Sequence, residues 1–463
     1  MAQHYRLDSV LLPQGWTSDA LVTVAEDGRI SAIEAGGGTI EPREAERVSG
    51  FVVPGMPNAH SHAFQRGMTG STEYRLSARD SFWTWRQAMY RLANRIEPED
   101  LEVLATQLFV EMLKAGYTSV AEFHYLHRRP AGDHYPDGIG LWDAIAAAAA
   151  ASGIGLTLLP TLYQTSDFGA APLKPEQARF ASDTDWFLRA VEARIGAERK
   201  SATAALRTGA AFHSLRAVPL ETLREAALVL RRIDPALPLH IHVAEQVQEV
   251  DSCKAHTGRR PIELLLETGL VDRHWCLVHA THATGAELRG IAATGATVCL
   301  SITTEANLGD GFFEAARFLQ MKGKLCVGSD SQATVCPAEE LRWLEYQQRL
   351  RKKRRAVLAD GRNPHVGTRL WCDAARHGAQ ALGQPAGAIE VGRRADWLVL
   401  DGAHPSMAGS ATENVLDHLV FAGASAAIRD VMVAGRWVIK DRHHAGEGGL
   451  QPRFAGLMKR LAS

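Results

Sequence analysis

Apolar residues fall along this chain in two rhythms. Short runs rich in Val, Ile, Leu and Cys alternate with longer stretches in which apolar residues recur at helical spacing. The first pattern predicts buried strands and the second amphipathic helices. In the middle of the chain, candidate strands begin at Phe51, Tyr117, Ile154, Thr208, Leu239, Trp275, Thr297 and Leu325. Helical periodicity separates them, as at Glu99–Lys114 and Leu220–Arg232. Strands alternating with helices in this way predict an α/β fold, a (β/α)8 TIM barrel whose chemistry sits at the C-terminal ends of the strands. An open, doubly wound sheet is the alternative that the pattern alone leaves standing.

Both ends of the chain read differently. Leu21–Val24 and Arg29–Ile33 flank a turn at Glu26-Asp27-Gly28, and Ala395–Leu400 is followed by Val431–Ile439 with a turn at Ala434-Gly435-Arg436. These segments predict a small β-sandwich domain built from residues 1–53 and 385–463, with the barrel over 54–384. Gly36-Gly37-Gly38 lacks the lysine and the strand–helix context of a phosphate loop and reads as a turn. The Ala-rich stretch Ala144–Ala151 is too short to span a bilayer and predicts a closely packed helix.

Composition narrows the partners. The chain has 463 residues, 46% of them hydrophobic, so it can bury a large core. Its formal net charge is −1, which argues against a nucleic-acid or membrane surface as the main partner. A charged small molecule would have to meet a local cluster of opposite charge. The basic run Arg349–Arg355 reads as a solvated helix face, and His443-His444 as part of a polar tail beyond the last strand. Six cysteines include no Cys-x-x-Cys pair and several lie in apolar runs, as buried reduced thiols do. With no basic-then-apolar order after Met1, the expected location is cytoplasmic.

The chemistry lies at the strand ends. The first candidate strand ends in His60-Ser-His62, where residues two apart face the same side. The fifth reads His240-Ile-His242-Val-Ala-Glu245, the sixth ends in His279, and the eighth in Gly328-Ser-Asp330. Each alone has a bland reading as a core histidine or helix cap. Their recurrence at the rim of one barrel predicts a metal site. His60, His62 and His242 supply nitrogens and Asp330 an oxygen, a set suited to Zn²⁺, or alternatively Fe²⁺, with a position left for water. Strand four, Thr208–His213, carries no lysine to bridge a second ion, so one divalent metal per chain is expected.

Together Pro57-x-x-His60-x-His62, His242-x-x-Glu245, His279 and Gly328-Ser-Asp330 resemble the amidohydrolase superfamily, in its mononuclear deaminase branch. Gly387–Leu400 is similar to that superfamily's return to its small β domain, so the resemblance covers almost the whole chain. Within the branch, the segments His60–Gly67, Phe82–Arg86, Glu122–Tyr125, His213–Val218 and Thr304–Gly311 most resemble the formimidoylglutamate deiminase family. Two positions depart from its pattern: Phe212 where proline is frequent, and Gln332 where histidine often follows the serine.

The resemblance implies hydrolysis of N-formimidoyl-L-glutamate to N-formyl-L-glutamate and ammonia, a step of histidine degradation. It implies Glu245 as proton carrier, His279 as the group orienting the attacking water, and Asp330 as both metal ligand and proton acceptor. Arg86, in the loop after strand one, with Gln65, Tyr125, His213 and Arg216, would bind a small anionic substrate. A homodimer is the expected assembly. A deaminase of another small molecule, such as a purine or pterin, is the competing reading, and a non-catalytic barrel scaffold a remote one.

Overall fold

The computed structural model describes residues 2–36, 45–74, 82–136, 138–200, 205–423 and 425–462. Two sheets organise them. One runs, by hydrogen-bonded neighbours, Lys324–Val327, Thr297–Leu300, Trp275–His279, Leu239–Val243, Ala210–Phe212, Gly155–Leu162, Tyr117–His124 and Met56–Ser61. All of its pairings are parallel. An isolated parallel bridge between Ser61 and Asp330 joins the first strand to the segment after the eighth and closes the barrel. Strand four is split: Leu206–Thr208 and Ala210–Phe212 flank Gly209.

Crossover helices follow local rules. The helix Pro98–Ala115 starts with proline in its first turn and a capping box between Glu97 and Asp100. It ends at Gly116, whose φ of 106° turns the chain straight into the strand at Tyr117. The Ala-rich helix Gly140–Ser152 lies against it, small side chains allowing close approach.

The second sheet runs Arg436–Ile439, Ile428–Val433, Trp397–Leu400, Glu46–Pro54, Gln3–Leu12, Gly15–Val24 and Ile30–Glu34, and gathers both termini. It has its own small core of Tyr5, Leu7, Val22, Val52, Trp397 and Met432. At the expected turn Ala434 and Gly435 both have positive φ, 48° and 73°, as a tight hairpin requires. The Gly36–Gly38 turn lies partly outside the described residues, which resume at residue 45.

Three expectations need correction. The strand starting at Phe51 is not the first barrel strand: Phe51–Pro54 pairs with Trp397–Leu400 in the terminal sheet, and the barrel strand begins at Met56. The apolar run is continuous there, so the change of sheet leaves no mark in its hydrophobicity. Arg86 sits on a helix, Phe82–Ala93, rather than in a loop. The C-terminal tail is the helix Glu447–Ala462, which buries Leu457 and Leu461 and sets Glu447 Oε1 2.8 Å from Lys114 Nζ. The strand Gln3–Leu12 had no expectation attached to it. All six cysteines are free thiols, and no helix among the described residues is long and apolar enough to cross a membrane.

Candidate active site

Barrel closure builds the site. Asp330 N and Ser329 N each donate to His60 O at 3.0 Å, and His62 N donates to Asp330 O at 3.1 Å. Asn58, two residues before His60, donates from Nδ2 to Ser329 Oγ at 2.7 Å and accepts Ser329 N at 3.1 Å. Gly328 is required: a Cβ there would lie 2.7 Å from His60 Cβ. Gln332, one of the two departing positions, clamps the same seam by donating to Ser61 Oγ at 3.1 Å and to Asp330 O at 2.6 Å. Phe212, the other, is fully buried and stacks on Trp275 with ring centroids 5.8 Å apart.

Around that seam, His60 Nε2 and His62 Nε2 each lie 3.4 Å from Asp330 Oδ1, and His60 Nε2 lies 3.1 Å from His242 Nε2. His62 Nδ1 donates to Phe123 O at 2.7 Å and His242 Nδ1 to His213 O at 2.8 Å. A carbonyl oxygen accepts only, so both rings carry their proton on Nδ1 and point an Nε2 lone pair inward. Burial disfavours the charged ring, holding His62 down to about 3, His60 below its ordinary value and His242 well below it. Burial pushes the Asp330 carboxyl up, but His60, followed by His279 and His62, outweighs it and holds the group below the usual carboxylate range. His60, His62 and Asp330 bring one set of ligand atoms within 4.8 Å of one another, and His60, His242 and His279 bring another. The donor set fits a divalent metal.

Beside this cluster, His279 Nε2 lies 3.6 Å from Asp330 Oδ2 and 3.8 Å from Glu245 Oε1. His279 and Asp330 have φ of 68° and 46°, a strained backbone at both strand tips that turns their side chains inward. Burial lifts the Glu245 carboxyl to about 7, against the pull of His279, so it can take up or release a proton near neutrality. His279 is shifted the other way from its buried neighbours: burial lowers it, but Glu245, Glu305 and Asp330 hold it well above an ordinary imidazole.

One cavity takes in His62, His242, Glu245, His279 and Asp330. Gln65, Arg86, Tyr125, His213 and Arg216 line the same cavity, while His60 lies fully buried beneath it. The structure therefore brings every sequence-predicted site residue to one place. Arg86 is packed 4.3 Å from the Trp83 ring, and its Nε and Nη1 are buried without a hydrogen-bond partner. Its burial, and next the nearby Arg216, lower its pKa. Burial and then Arg216 hold His213 neutral. Gln65 Nε2 donates to Tyr125 Oη at 3.0 Å, leaving Gln65 Oε1 unpartnered. Two like cations side by side, with the Arg86 donors unpartnered, form a site for an anion.

Sequence reasoning missed Tyr163 and Glu249, which also line the cavity, and Glu305, which bonds His279. Tyr163 directly follows a barrel strand, a position that could have flagged it. Trp85 and Leu308 line the mouth, where a second cavity lined by Thr72, Glu73 and Tyr74 adjoins.

The fold and this rim arrangement define a metal-dependent barrel hydrolase, and the chain belongs to the amidohydrolase family, whose model matches residues 51–438. It is 49% identical to a formimidoylglutamate deiminase of Pseudomonas aeruginosa, over 98% of each chain. An amidohydrolase structure from Brucella melitensis matches with a TM-score of 0.92 at 40% identity, over 100% of both chains. An adenosine deaminase structure from Xanthomonas campestris with bound zinc shares the fold, with a TM-score of 0.83 at 22% identity over 99% of this chain and 98% of that one.

Proposed function

We propose that this protein hydrolyses N-formimidoyl-L-glutamate to N-formyl-L-glutamate and ammonia, as a step of histidine degradation. The observation that carries the reading is the one cavity lined both by a proton-handling cluster and by a pair of arginines. Such a cavity suits a short linear dianion ending in an amidine. The near-half identity to a formimidoylglutamate deiminase along the whole chain supports the same substrate.

His60, His62, His242 and Asp330 would hold one divalent ion, Zn²⁺ by donor type with Fe²⁺ as the alternative. When bound, such an ion acidifies a water molecule and so supplies a nucleophile at neutral pH. Asp330 accepts the water's proton, and His279 aims its oxygen at the formimidoyl carbon. Glu245, poised near neutrality, carries the proton to the departing nitrogen, so that ammonia leaves rather than an amide anion. The C–N bond to that nitrogen breaks, and the carbon keeps the new oxygen as a formyl group. Arg86 and Arg216 bind carboxylates, His213 and Tyr125 wall the site, and Gln65 Oε1 is free to accept from the amidine. The barrel over residues 54–384 is the catalytic unit, with residues 1–53 and 385–463 forming the small domain. A cytoplasmic location and a homodimer complete the proposal. The exposed stripe of Trp343, Tyr346 and Leu350 on the helix Pro337–Lys352 supports self-association.

The test is ammonia release from formimidoylated amino acids and heterocyclic amines. The glutamate derivative is expected to be preferred over the aspartate derivative and over every ring substrate. Truncating Arg216 is expected to raise KM for it by roughly 10- to 100-fold, the scale of a lost charged hydrogen bond. Turnover of a purine or pterin that is indifferent to Arg216 would replace this reading with the ring-deaminase one.

A further inference from the structure

The proposed reaction uses one ring nitrogen of His279, and the strand that carries this residue does not fix which nitrogen faces the reacting atoms. With φ at 68°, His279 has left the pleat, so strand alternation no longer aims its ring. Its Nδ1 lies 3.2 Å from Oε1 of Glu305, a residue 1% exposed on the short helix Ile302–Leu308 after the seventh barrel strand. The same Oε1 accepts Ser301 N at 3.1 Å, so the side chain is anchored at its own strand end before it meets the imidazole. Next to it, Thr304 Oγ1 accepts Ser331 N at 3.2 Å and donates to Ser329 O at 3.3 Å. One short helix thus grips both the His279 ring and the segment that carries Asp330.

Resting on the function proposed above, we infer that Glu305 is the positioning residue of this site: it accepts the Nδ1–H of His279 and so turns Nε2 toward the reacting atoms. An oxygen that already takes one N–H is presented to the ring as an acceptor, which makes Nδ1 the donor. Nε2 then faces the space between Glu245 Oε1 and Asp330 Oδ2, at 3.8 and 3.6 Å. Glu305 does not line the cavity, so it acts through His279 and not on the substrate.

Ammonia release from N-formimidoyl-L-glutamate, with metal content measured alongside, tests this in Glu305→Leu and Glu305→Gln. The leucine variant is expected to lose kcat by roughly 10- to 100-fold, the scale of a lost orienting partner, with KM and metal content held near wild type. Glutamine keeps an oxygen for both N–H groups and is expected to recover most of that loss. A leucine variant with wild-type kcat overturns the inference. So does a loss shared by KM and metal content, or a glutamine variant as slow as the leucine one. A second measurement needs neither variant nor substrate to behave. In ¹⁵N-histidine-labelled holoenzyme, with the His279 signal identified by its disappearance in His279→Asn, Nδ1 is expected to be protonated. A bare Nδ1 overturns the inference even when the enzyme is active. A wild-type enzyme inert toward formimidoylglutamate, with Nδ1 protonated, overturns the function and leaves Glu305's role standing.

Discussion

Two buried polar clusters lie at opposite ends of the barrel and are built on opposite principles. At the base, Arg394 and Asp396 are fully buried and paired at 2.9 Å, Nε to Oδ1. Arg394 Nη1 donates to Gln384 Oε1 at 2.6 Å, Gln384 Nε2 donates to Thr157 Oγ1 at 2.9 Å, and Ala434 N donates to Asp396 Oδ1 at 2.9 Å. This clasp ties a barrel strand to a hairpin of the terminal sheet with opposite charges cancelled. At the rim, the imidazoles of His60 and His62 crowd the Asp330 carboxylate, with His242 against His60. His60 Nδ1, Gln65 Oε1, Glu305 Oε2 and the Arg86 donors stay buried without partners. Most buried polar groups in proteins find partners, so a cluster of unpartnered ones beside a cavity marks a binding site. Burial alone does not separate the two clusters; completeness of pairing does.

Breaking each cluster should therefore break a different property. Glu245→Gln at the rim is expected to lower kcat by on the order of 10²-fold or more, the scale of a lost proton carrier, while metal content and melting temperature hold. Steady-state kinetics with metal analysis checks it, and wild-type turnover would remove Glu245 from the reaction. At the base, Arg394→Met leaves Asp396 buried and uncompensated. It is expected to cost about 3–5 kcal/mol of stability, with kcat per folded molecule unchanged. Denaturant unfolding beside active-site titration decides this, and a variant as stable as wild type would mean that the clasp does not hold the two sheets together.

The smallest effect sharpens the boundary between the clusters. Glu122, beneath the rim, accepts Ala63 N at 2.6 Å, and burial raises its pKa from 4.5 to about 8. A carboxyl raised by folding stabilises the native state fully below its unfolded value, and that contribution is lost as pH climbs through the folded one. The window runs from about 4.5 to about 8. Glu122→Gln, neutral throughout, is expected to flatten the decline in melting temperature across it by a few degrees. Parallel wild-type and variant curves in thermal scans would assign the decline to other groups.

Much of this was legible in the sequence. His60 and His62, two apart on one strand, and His242 with Glu245 three further on, advertise themselves because strand geometry is local and periodic. The helices Pro98–Ala115 and Leu220–Ile233 lie within a residue of where periodicity puts them. The boundary at Pro54–Met56 was not legible, because one unbroken apolar run serves two sheets there. Nor was the grip of Glu305 on His279, which spans 26 residues and two strands.

By itself, then, the sequence determined which side chains could do chemistry and on which repeating unit each would ride, since composition and spacing along a strand need no partner. Only the tertiary structure decided how they meet. The seam from Ser61 to Asp330, the clamp of Gln332 on Ser61, and the cavity that joins Arg86 and Arg216 to Glu245 all depend on the register in which the first and last strands close. That register is set by contacts between residues some 270 positions apart, such as Asn58 with Ser329, separated by 271. No periodicity along the chain encodes such a pairing.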